Sequence, residues 1–235
     1  MALLAKTDYY GLSASGWTVS DTSENRSVGY NAEAQGPDGF VCAVDAGGEL
    51  VAPQVNYVAT QSASLGSVVL GSVKTILGKK VALGGITVNT SAGSAPTATA
   101  TGSQIEDNGT AHCTCTLTGI SVSPLYHAQD FGLFTVSNGQ LTQSTLTING
   151  DIATTTVDGV IKSSDLVGGS VEVTGTIVGV SDAGAISTPT VALQAPSGNV
   201  LSGVMTQPVS QTNPNGDFPT YSFTARWPLK ADAGS

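Results

Sequence analysis

The sequence predicts an all-β protein: an antiparallel β-sandwich or barrel with at most one helix and an extended N-terminal arm. Three observations carry this expectation. From Lys79 onward apolar and hydroxyl residues alternate with a period of two, as in "KVALGGITVNT" and "SVEVTGTIVGV", which is the spacing of a half-buried strand. Turn formers are abundant, with 29 glycines and 10 prolines, while only 11% of residues are charged and 6% aromatic. Small, β-branched and hydroxyl side chains suit pleated surfaces joined by many turns. At 235 residues the chain is long enough to bury a sizeable core.

Three regions follow in order. Residues 1–59 read as an N-terminal arm and loops with short strands. Gly36-Pro37-Asp38-Gly39 and Gly47-Gly48 are turn signals there, and Phe40–Val44 reads as a short buried strand between them. Residues 60–78 change rhythm, placing Leu65, Val68, Val69, Val73, Ile76 and Leu77 on a helical stripe. Ser62 is a candidate cap, and Lys74, Gly78 and Lys79 suit a helix end. The expectation is one amphipathic helix, with a strand pair as the rival reading because Gly66, Gly71 and the valines lower helix propensity.

Residues 79–235 read as the β-sandwich. Gly84-Gly85 marks a bulge that shifts the strand phase. Glu106-Asp107-Asn108-Gly109 is a hairpin turn signal and Asn149-Gly150 another, while residues 160–169 read as a loop. The closing segment puts Tyr221, Phe223, Ala225 and Trp227 on one strand face and Ser222, Thr224 and Arg226 on the other. Such a stripe is more often core than binding platform. No fixed-period repeat points to a solenoid or propeller.

Charge narrows the function. The net charge is −9, with 17 acids against 8 bases. Phosphate binding needs clustered Lys and Arg, and Lys79-Lys80 is the longest basic run, so sequence-specific nucleic-acid recognition is not expected. An acidic wall past which a polyanion slides remains compatible. Arg26 and Arg226 are the only arginines and read as solvated. "MALLAKTDYY" is too short in apolar residues for a signal-peptide core, and no apolar run approaches a membrane span. The expectation is a chain made in the cytoplasm, with no membrane partner.

"GTAHCTCTLTGI", residues 109–120, concentrates His112, Cys113 and Cys115. Strand alternation sends both sulfurs to one face with Leu117, and His112 to the other with the threonines. A structural zinc site wants four ligands; Cys42 and His127 lie in unrelated contexts. The segment therefore reads as a core strand with reduced, buried cysteines.

Other constellations are thinner. His127 and Asp130 in "PLYHAQDFG" could join a serine in a hydrolytic triad, but no nucleophile elbow, P-loop or dinucleotide fingerprint accompanies them. The loop reads as a packed corner, with a contact loop exposing Tyr126, His127 and Phe131 as the alternative. The aspartates sit where turns need short polar side chains. No catalytic, cofactor or metal residue is assigned, no cofactor is implied, and an enzyme is not expected.

The acidic chain, its Ser/Thr/Gly/Ala-rich alternating strands, the lone helical stripe and the loop-rich arm together resemble β-rich virion proteins of tailed bacteriophages, in particular tail-tube and baseplate-ring subunits. The resemblance implies a β-sandwich with a flanking helix and arms. It further implies homo-oligomerisation into rings, contact with other virion proteins, and a place in the virion after synthesis in the host cytoplasm. A capsid decoration or fibre protein is the alternative within that class. A carbohydrate-binding or adhesin-like β module is the alternative outside it.

Overall fold

The computed structural model describes residues 6–60, 62–66, 68–105, 114–123, 127–137, 139–157, 160–179, 191–198, 200–212 and 217–230. They form sixteen strands: β1 (Trp17–Gln35), β2 (Val41–Ala59), β3 (Ala63–Ser64), β4 (Val68–Leu70), β5 (Val73–Ile76), β6 (Lys79–Ser91), β7 (Thr97–Ile105) and β8 (Cys115–Thr118). β9 (Ser121–Val122), β10 (Phe134–Val136), β11 (Gln140–Val157), β12 (Val160–Val178), β13 (Val191–Leu193), β14 (Ser197–Gly198), β15 (Val204–Thr212) and β16 (Thr220–Leu229) complete them. The only helical piece among the described residues is a single 3-10 turn, Leu12–Ser15. The fold is all-β and antiparallel.

One nine-stranded sheet dominates, in the order β1-β2-β7-β6-β11-β12-β16-β15, with β5 added beside the start of β6. Small sheets β10-β13, β14-β8-β4 and β3-β9 form a second layer. Period-two alternation builds the core between the layers. Val55, Tyr57, Ile86, Val88, Leu146 and Val173 of the large sheet meet Leu70, Cys115, Leu117, Phe131 and Phe134 of the cover. Phe134 meets Phe223 edge-on, with centroids 5.0 Å apart at 69°, a favoured aromatic geometry.

Every pair in the large sheet is antiparallel, so β1, β5 and β11 share a direction and turn back at the same end of the sheet. Two of these hairpins outrun their neighbours. β7 pairs with β2 only over Gln54–Val58, leaving Val41–Leu50 laddered to β1 alone. β11 meets β6 over Gln143–Asn149 and β12 meets β16 over Gly169–Val178, so Asp151–Val157 and Val160–Gly168 pair only with each other. Each two-stranded arm reaches roughly 30 Å or less, at about 3.3 Å per residue.

Several expectations change here. The helix expected over 60–78 is instead β3, β4 and β5, each laddered to a different partner: β9, β8 and β6. Gly66 and Gly71 take positive φ (58° and 77°), which breaks a right-handed helix, and the intervening valines pair as strand. The arm of 1–59 is not loops with short strands but two 19-residue strands in one hairpin. Gly47-Gly48, Asn149-Gly150 and all of 160–169 lie inside strands rather than turns. Phe40–Val44 is exposed, not buried: Phe40 is 74% accessible. Two turn-level readings hold. Gly36–Phe40 closes β1 to β2 through Gly36 N to Phe40 O, 2.8 Å, and the β6–β7 register shifts between Leu83 and Gly85 as a bulge. The turn expected at 106–109 lies outside the described residues.

Candidate functional surfaces

The outermost strands come first, because a sheet edge is a row of unpaired backbone donors and acceptors. Among the described residues β1 ends the large sheet on one side and β15 on the other, and the two do not pair with each other. The sheet is therefore open rather than closed into a barrel. β1 carries Asp21, Glu24, Arg26 and Glu33 along its edge. β15 carries no charge, and Val204 is 62% exposed. Other exposed large apolar side chains lie away from these edges: Phe40, Val41 and Val44 on the first arm, Leu77 at the β5–β6 turn, Val157 and Val167 on the second arm.

The large sheet has one covered face and one open face. Register places Val58, Thr97, Asn89, Thr145, Thr174 and Thr224 side by side across six strands. The next row runs Asn56, Thr99, Thr87, Thr147, Glu172 and Arg226. Thr99 Oγ1 donates to Asn56 Oδ1 at 2.9 Å and Thr145 Oγ1 to Asn89 Oδ1 at 2.9 Å, so the face is a cross-linked hydroxyl and amide surface. Glu172 and Arg226 sit opposite each other on it, and Asp21 of β1 extends the same row beside Asn56.

Asp8 anchors the segment before β1. Its carboxylate accepts from Tyr57 Oη at 2.6 Å, Gly11 N at 2.8 Å, Ser13 N at 2.9 Å and the Ser13 hydroxyl. Partial burial pushes the Asp8 carboxyl up, but the Ser13, Tyr57 and backbone donors outweigh it and hold the group below the ordinary value. Burial, followed by the hydrogen bond to Asp8, pushes the Tyr57 phenol far up. Tyr10 Oη donates to Pro53 O at 3.0 Å and Tyr9 Oη to Glu24 at 2.5 Å. The sequence signal is "DYY", but the tyrosine partners Glu24 and Pro53 and the Asp8 partner Tyr57 lie 15 to 49 positions away, beyond any local motif.

Residues 127–130 form the wall of an open bowl of about 430 Å³, with Ser123, Thr135, Val136 and Leu141 around it. Its stem is Gln129, whose backbone N donates to Thr90 Oγ1 at 2.9 Å and whose carbonyl accepts from Ser144 Oγ at 2.7 Å. Thr90 and Ser144 are buried, register-paired and 2.7 Å apart. Phe131 is fully buried, with positive φ of 55°, while His127 and Asp130 are exposed. The loop is thus both a packed corner at Phe131 and a presented surface at His127.

The remaining candidates stay apart. Cys115 is buried beside Leu117, in strand β8 as expected, and Cys42 is exposed on the first arm with Sγ 3.3 Å from Ala34 O. His112, Cys113 and Tyr126 lie outside the described residues. Among the described residues no three His, Cys, Asp or Glu side chains gather where they could hold a metal ion. Tyr221, Phe223 and Trp227 are buried in the core, so the aromatic stripe is not a platform. Arg26, Arg226 and Lys74 are exposed, and Lys79 and Lys80 are half-buried. No described helix is long and apolar enough to cross a membrane. No protein-family model matches the chain, and no curated protein matches it either.

Proposed function

We propose that the chain is a structural subunit of a tailed-phage particle that self-associates into rings, in the manner of a tail tube or baseplate ring. The observation that carries this reading is the strand order of the large sheet, in which β1 and β15 are the terminal strands on opposite sides among the described residues. Unequal edges of one molecule can meet head to tail, and a rotation that closes yields a ring rather than an aggregate. The arms fit the same role, because they carry exposed apolar side chains on ladders that pair with no third strand among the described residues. Such side chains favour covering by a neighbouring subunit or another virion protein. The hydroxyl and amide face would give a polyanion few cations to hold it.

Light scattering over a range of concentrations, followed by electron microscopy, tests the reading. Rings or tubes are the expected result. A monomer at every concentration would count against self-association, and isolated trimers or fibres would move the assignment to a capsid decoration or fibre protein.

A further inference from the structure

We propose that the bowl beneath His127 binds a neutral saccharide. Its volume, about 430 Å³, lies in the roughly 300–1,000 Å³ range of small-molecule sites. Its lining is amphipathic in the way a pyranose requires. Ala128, Val136 and Leu141 offer an aliphatic surface to the C–H side of a sugar ring. The Ser123 and Thr135 hydroxyls, the His127 imidazole and the Asp130 carboxylate surround that surface with donors and acceptors for ring hydroxyls.

The scaffold is set before any ligand arrives. Gln129 Nε2 donates to His127 O at 2.8 Å, and its Oε1 accepts from Ser123 N at 3.2 Å, tying the two rims together. The buried Thr90–Ser144 pair holds the Gln129 backbone from below. Asp130 Oδ1 accepts from Gly132 N at 3.0 Å, which orients the carboxylate at the rim. The Phe131 backbone, in the left-handed region at a buried non-glycine position, is a strained conformation that the packed ring holds in place. Rigid polar groups on a loop gain affinity because little entropy is lost on binding. Asp130 disfavours an acidic sugar and an inorganic anion alike, so among sugars the rim matches a neutral hexose or N-acetylhexosamine.

The test is saturation-transfer NMR on the full chain with methyl glycosides of glucose, galactose, mannose and N-acetylglucosamine, and with methyl sialoside as the acidic control. At least one neutral glycoside should give signal and the sialoside none. The exposed substitutions Thr135→Val and His127→Ala should each weaken binding about tenfold, the loss of about one hydrogen bond. Their melting temperatures should match the parent, which separates lost contact from lost fold. Asp130→Asn should weaken it as well. No signal from any neutral glycoside, signal that Thr135→Val and His127→Ala leave unchanged, or preference for the sialoside would each overturn the proposal.

Discussion

The two faces of the large sheet are built from the same strands and could hardly differ more. Along β12, Val171, Val173 and Ile177 point into the core and are fully buried, while Glu172, Thr174 and Thr176 between them are only half-covered. β16 repeats the pattern with Tyr221, Phe223, Ala225 and Trp227 against Ser222, Thr224 and Arg226. Stability resides on the covered face, where burial removes apolar area from water at about 25 cal/mol per Å². The open face contributes solubility and a surface, and its hydroxyl ladders exchange bonds that water could supply equally. Substitution should therefore have very unequal consequences at neighbouring positions.

The largest effect is expected at Phe223, which lies in the core against Phe134. Phe223→Ala should destabilise the fold by about 3–5 kcal/mol in denaturant unfolding. An unchanged midpoint would mean the ring is not packed, and the contrast between faces would collapse.

Next comes Gly203, where a Cβ would lie 1.9 Å from Trp227 Nε1. Trp227 is fully buried and its indole N–H has no hydrogen-bond partner among the described residues; the Gly203 contact shows that the segment before β15 lies directly over the ring. Gly203→Ala should cost about 1–3 kcal/mol through overpacking. A melt equal to wild type would show that this segment does not seal the core.

A smaller, pH-dependent effect belongs to Asp8, which pins the N-terminal segment to the core residue Tyr57. Tyr57→Phe should cost about 1 kcal/mol, since the charge-assisted bond is discounted for the partial exposure of Asp8. The folded-state pKa of Asp8 is lowered from 3.8. Its contribution is therefore complete above that value and is lost as the pH falls through the lowered folded value. The difference in melting temperature between wild type and Asp8→Asn should be full at neutral pH and shrink below pH 3.8. A difference that grows on acidification would contradict the assignment.

The smallest effect is expected on the open face. Thr147, flanked by Thr87 and Glu172, can become Val with a change within about 0.5 kcal/mol. A loss as large as that at Phe223 would mean that the open face is structural too.

This contrast also explains what the sequence disclosed. Alternation is a local property, so Tyr221–Trp227 and Cys115–Leu117 could be assigned to the core from spacing alone. The Gly84-Gly85 bulge and the Gly36–Gly39 turn were equally local. Asn149-Gly150 misled because a turn signal yields to ladder pairing: Gly150 faces Gly169 across β11 and β12, where a Cβ on Gly169 would lie 2.3 Å from Asn149 O. Those glycines serve close strand approach, not a turn. The segment at 60–78 misled because its apolar spacing satisfies both periods, and only the distant partners β6, β8 and β9 decide between them. The Thr90–Ser144–Gln129 and Asp8–Tyr57 clusters join residues 15 to 54 positions apart, a distance no motif spans.

We propose that the sheet edges are subunit contacts, while the middle of the sheet is completed by strands of the same chain. Amide hydrogen exchange, compared between dilute and assembled protein, tests this directly. Assembly should slow exchange in β1 and β15, whose outward amides gain partners, and leave β6, Gln143–Asn149 of β11 and Gly169–Val178 of β12 protected to the same degree in both states. Edge strands that exchange equally fast before and after assembly, or protection gained only in the middle of the sheet, would contradict it.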